Sequence, residues 1–112
     1  MKKILIVNND PDTMQLLENL LGNAGFETSA LADINKVPEQ IEQFKPNLLL
    51  LDVDQREIIN RLGKTAEKKS IPVLLMTGHP DTHKDKQEGE DHFIPKPFTL
   101  QHLIEKITAI TS

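Results

Sequence analysis

Three stretches of the chain are short, essentially unbroken apolar runs, and each stops at a polar residue. Residues 3–7 (KILIV) stop at Asn8, residues 48–51 (LLLL) at Asp52, and residues 71–76 (IPVLLM) at Thr77. Runs of this length between helix-breaking flanks predict strands buried on both faces, as in the middle of a parallel sheet. A core helix segment is the other reading of the leucine run, but Lys45-Pro46 before it and the charges after it oppose helix. Two weaker strands are predicted at residues 26–30 and 93–94. The first carries Glu27, Thr28 and Ser29, which places it near a sheet edge, and the second ends at Pro95-Lys96-Pro97.

Between the strands the apolar spacing changes to that of helices. Met14, Leu17, Leu20 and Leu21 follow Pro11, which suits a first helical position because its missing N–H costs nothing there; Asn9 or Asp10 is the cap. Gly22 and Gly25 close this helix. Ile34, Val37, Ile41 and Phe44 mark a second helix, ended by Pro46. Ile58, Ile59, Leu62 and Ala66 mark a third, over about residues 56–69, which Gly63 weakens by roughly 1 kcal/mol relative to alanine. Thr99 caps a last helix with a stripe of Leu100, Leu103, Ile104 and Ile107. Residues 78–92 carry no apolar side chain except Pro80, so a fourth helix there is expected to be short, frayed or absent.

Strand and helix alternating five times imply an α/β fold: a five-stranded parallel sheet with helices on both faces and right-handed crossovers. The two most apolar early strands belong side by side at the centre, giving the flavodoxin-like order 2-1-3-4-5 with its switch point between strands one and three. Asn8, Asn9 and Asp52 are therefore predicted to converge there, with Thr77 and Lys96 arriving at the same edge. The chain of 112 residues is expected to be one domain, residues 1–112.

Composition removes several function classes. The chain has no cysteine, which excludes disulfides, zinc-thiolate sites and cysteine nucleophiles. A net charge of -4 argues against a nucleic-acid surface. No run approaches a membrane span, and the start lacks a signal-peptide cleavage site, so a cytoplasmic chain is expected. Trp and Tyr are both missing, which disfavours a stacking platform for bases or sugars. His79, His83, His92 and His102 read as exposed; His79 and His83 have the i, i+4 spacing of a metal pair but no third ligand.

A carboxylate beside a hydroxyl and an ammonium suits the acceptance of a phosphoryl group, the carboxylate as nucleophile and the other two holding phosphoryl oxygens. KILIVNNDPDT, LLLLDVD, IPVLLMTG and GEDHFIPKPF, in this order, resemble the receiver domain of bacterial two-component response regulators across essentially the whole chain. The resemblance implies that Asp52 matches the phosphoacceptor, Thr77 the switch hydroxyl, Lys96 the phosphoryl-bridging lysine and Phe93 the switch aromatic. It also implies a cis Lys96-Pro97 bond and partners in a histidine kinase or phosphotransfer protein, and it implies no enzyme.

The sequence departs from that family in three places. Asn8 and Asn9 replace an acidic pair that holds Mg²⁺ together with the phosphoacceptor. Two formal charges are lost, each worth about 4 kcal/mol of gross attraction at 4 Å, so Mg²⁺ binding through Asn8, Asn9, Asp52 and Asp54 is expected to be weak or lost. Relief of carboxylate repulsion is expected to leave the domain stable without metal. DVDQREII lacks the Met-Pro and Asp-Gly usual after the phosphoacceptor, and polar residues 78–92 occupy the fourth-helix position of the family's partner face. The expected function is thus an atypical phosphorelay receiver. The alternatives are a pseudo-receiver working as a phosphorylation-independent interaction module and, in another class, a small flavodoxin-like enzyme or nucleotide binder. Against the last, the first turn NNDPDT has no glycine. With the chain ending at Ser112, output is expected through a protein effector, a missing output domain or self-association.

Overall fold

The computed structural model describes residues 2–52, 55–77, 93–95 and 97–111, with the backbone alone at Thr77. Its sheet has the strands β1 (Lys3–Asn8), β2 (Glu27–Leu31), β3 (Leu48–Asp52), β4 (Val73–Thr77) and β5 (Phe93–Pro95). All neighbours pair in parallel in the order β2-β1-β3-β4-β5, as the sequence predicts. The helices are α1 (Pro11–Asn23), α2 (Val37–Phe44), α3 (Arg56–Lys68) and a C-terminal helix (Leu100–Thr111).

Leu48 to Leu51 are fully buried, as are Ile4 to Val7. Period-two alternation sends them to opposite sides. Ile4, Ile6, Leu48, Leu50, Leu74 and Met76 pack with Leu17 and Leu21 of α1 and Leu103 and Ile107 of the C-terminal helix. Leu5, Val7, Leu49, Leu51 and Leu75 pack with Val37, Ile41, Leu62 and Ala66 of α2 and α3. A strand with a core on each side has no polar face, which is why these segments read as unbroken apolar runs.

Element boundaries differ from the expected ones by a few residues, each for a local reason. Phe26 falls outside β2 because its N–H returns to Leu21 O at 3.0 Å, closing α1, where Gly25 takes a positive φ of 102°. Ile34 belongs to a 3₁₀ turn before α2. Pro38 has no N–H to give the Ile34 carbonyl, so the Val37 N–H bonds it instead and tightens the turn. Ile71 and Pro72 precede β4: the Ile71 N–H bonds Ala66 O at 2.9 Å, and Pro72 can only accept, from Leu49 N–H at 2.9 Å. The segment 78–92, where a fourth helix is expected to be short, frayed or absent, lies outside the described residues.

Candidate functional site

Parity and register decide what meets at the carboxyl edge of the sheet. Asn8 continues the Ile4–Ile6 side of β1 and Asp52 the Leu48–Leu50 side of β3, and the two residues are register partners. Both side chains therefore project from the switch point toward the layer of α1 and the C-terminal helix. Asn8 Nδ2 donates to Asp52 Oδ2 at 2.9 Å.

Asn8 is 2 % exposed, so its amide must be satisfied inside the protein. The Asp10 N–H donates to Asn8 Oδ1 at 2.8 Å, which fixes the amide orientation. The flipped amide would set oxygen against carboxylate and N–H against N–H. Asp10 in turn caps α1: the Thr13 hydroxyl donates to Oδ2 at 2.6 Å and the Asp12 N–H to Oδ1 at 3.2 Å. The Thr13 hydrogen bond, aided by backbone N–H groups of the first turn, holds the Asp10 carboxyl below its ordinary value. One chain of hydrogen bonds thus runs from Asp52 through Asn8 to the start of α1. Asn9 is exposed beside it.

Asp52 lines a groove of about 400 Å³ between α1 and the C-terminal helix. Thr13, Leu16, Leu17 and Leu20 form one bank, Pro97, Phe98, Leu100 and Leu103 the other, and Met76 lies between them. Leu16 is 56 % exposed and Leu100 36 %. Sequence periodicity missed Leu16 because it lies off the buried stripe of α1. An apolar side chain on a polar helix face was the available signal.

Thr77 is placed by its backbone at the end of β4, in register with Pro95 of β5 and so at the same edge as Asp52. Phe93 pairs with Leu75 and packs against the α2–α3 core. Lys96, its bond to Pro97, Asp54, His79, His83 and His92 lie outside the described residues; His102 is exposed on the C-terminal helix.

The described residues do not fit a divalent ion. Asn8 turns its NH₂ group, a hydrogen-bond donor and not a metal ligand, toward the Asp52 carboxylate. Among the described residues no three His, Cys, Asp or Glu side chains gather as a metal site.

The comparisons with known proteins agree with this architecture. The model of the response regulator receiver domain matches residues 4–108. The chain is 29 % identical, over 97 % of its length and 48 % of the relative's, to the alkaline phosphatase synthesis transcriptional regulatory protein PhoP of Bacillus subtilis. It spans about half the length of the curated relatives it matches. Among solved structures, the N-terminal domain of the nisin resistance regulator NsrR superposes with a TM-score of 0.77 at 27 % identity, covering 100 % of this chain and 99 % of that one. The response regulator TrrA of Thermotoga maritima, solved in complex with Mg²⁺-BeF, shares the fold at a TM-score of 0.79 and 23 % identity, over 98 % and 99 % of the two chains. With nearly the whole chain matched by the family model and the sheet order in agreement, this protein belongs to the response regulator receiver domain family.

Proposed function

We propose that residues 1–112 form a single receiver domain in which Asp52 accepts a phosphoryl group from a phosphohistidine of a histidine kinase or phosphotransfer protein. One observation carries this reading: Asp52 ends the central strand at the switch point, tied to Asn8 and lining an open groove. In the transfer a carboxylate oxygen of Asp52 attacks phosphorus while the phosphorus–nitrogen bond breaks, its electron pair returning to an imidazole that enters protonated on its other ring nitrogen. An acyl phosphate on Asp52 and a neutral histidine on the donor result. Thr77 and Lys96 act as the phosphoryl contacts and Phe93 as the responding aromatic. Transfer proceeds with little dependence on Mg²⁺, in keeping with the donor set at Asn8 and Asn9.

The groove suits the ridge of a helical phosphodonor, with Leu16 and Leu100 as its exposed apolar contacts. Among the described residues no helix is long and apolar enough to cross a membrane, and a cytoplasmic location fits this role. The net charge of -4 argues against a nucleic-acid surface on this domain. Output passes to a protein effector or to an output domain beyond these residues, a division that the twofold longer relatives support.

Incubation with acetyl phosphate followed by intact-mass measurement tests the proposal. The native chain is expected to gain one phosphoryl group and Asp52→Asn none. No gain on the native chain under any condition would leave the interaction-module reading, in which the direct Asn8–Asp52 hydrogen bond is structural.

A further inference from the structure

The two ends of the Asn8 amide are committed in opposite directions, to the Asp52 carboxylate at 2.9 Å and to the Asp10 N–H at 2.8 Å. An aspartate in its place could still accept from Asp10. Toward Asp52 it would present an oxygen, and two carboxylates that close repel when both are ionised unless a cation lies between them; otherwise one of them holds a proton. The amide puts a hydrogen where such a pair needs a cation. We propose that Asn8 is a positioning residue that takes over the structural duty of a divalent ion, so that this carboxyl edge is assembled and rigid without metal.

Two further observations bear on the proposal. Asn8 is 2 % exposed and its carbonyl holds the residue that caps α1, so the bridge is part of the folded interior and not a surface contact. From Asp10 the chain of hydrogen bonds continues to Thr13, which lines the groove, so Asn8 fixes Asp52 relative to α1 as well as to β1. The inference concerns the resting site and stands whether or not Asp52 is phosphorylated; the two can fail separately.

The test is a titration of the chain with MgCl₂ to about 10 mM, followed by the Asn8 side-chain NH₂ signals in ¹H–¹⁵N spectra and by thermal melting. In the native chain those signals are expected to stay in place and Tm to move by less than about 1 °C. Asn8→Asp is expected to melt at least about 5 °C lower in EDTA and to regain most of that loss in MgCl₂. Asn8→Ala should lose similar stability and regain none. Asn9→Asp, which leaves the bridge intact, should melt within about 2 °C of the native chain in EDTA. Should Asn8→Asp fail to fold with or without Mg²⁺, the native titration decides. Movement of the Asn8 signals, a rise of several degrees in the native Tm, or full stability of Asn8→Asp in EDTA would each overturn the proposal.

Discussion

The two faces of the sheet both carry apolar cores but are finished differently at the surface. On the α2–α3 side, polar side chains tie the layer to itself and to its surroundings. Arg61 donates to Asn35, Lys69 pairs with Glu42, and Gln40 donates to Ser29 of the edge strand. On the other side α1 and the C-terminal helix leave a groove whose banks are mostly apolar and whose lining includes Asp52. Both layers bury two apolar positions per helix, so burial alone does not separate them. What separates them is the polar end of β1 and β3, which alternation directs to the open side. Among the described residues the first face is closed by those contacts, and the other keeps an entry to the carboxylate.

Core truncations probe that contrast most strongly. Leu62→Ala, on the closed side, is expected to cost about 4 kcal/mol and Leu17→Ala about 2, within the range for buried leucines. The Leu17 void opens toward the groove and can relax or fill with water, whereas the Leu62 void cannot. Urea denaturation of both variants checks the order, and equal losses would mean that the groove is as tightly packed as the closed face.

Leu16→Ala comes next. It should leave the urea midpoint nearly unchanged while slowing transfer from a phosphorylated protein donor about tenfold, the scale of an interface anchor. Transfer from acetyl phosphate should be unaffected. Arg61→Ala on the other face is the control and should change neither rate. A smaller effect is expected at Gly63, in the middle of α3 with nothing within 4 Å of an added Cβ. Gly63→Ala should stabilise the chain by about 1 kcal/mol in the same denaturation experiment.

The smallest effect belongs to Glu42, whose carboxyl lies below its ordinary value of 4.5 chiefly because Lys69 donates to it. A carboxyl lowered by folding adds stability that is present above that value and is lost as the pH falls through the folded value. Glu42→Gln should therefore cost a little at neutral pH and nothing in acid, below both values. Because the pair is exposed, the difference should be small and should shrink in salt, as melting curves at two pH values and two ionic strengths would show.

Much of this molecule was legible from residue order because its determinants are periodic. The apolar runs gave β1, β3 and β4 and their central place, Pro11 and Thr99 marked helix starts, and the strand order brought Asn8 beside Asp52. Thr99 does cap the C-terminal helix, accepting from the His102 N–H at 3.0 Å. The direction of the Asn8 amide was not legible, since it depends on where the Asp10 N–H points after β1 turns into α1. Nor was the groove, because Leu16 departs from the pattern that sequence reading rewards. The 3₁₀ turn at Ile34 was readable in principle: Pro38 four residues on cannot bond its carbonyl.

Asp52, held by an amide in place of a cation, is proposed as the phosphoacceptor. A time course of intact mass with acetyl phosphate, for the native chain and Asp52→Asn, each in MgCl₂ and in EDTA, addresses it most directly. A single phosphoryl gain is expected on the native chain, at rates within about threefold of each other in the two buffers, and none on Asp52→Asn; a threefold rate ratio is less than about 1 kcal/mol. A gain that persists in Asp52→Asn, or one that appears only with Mg²⁺, would contradict it.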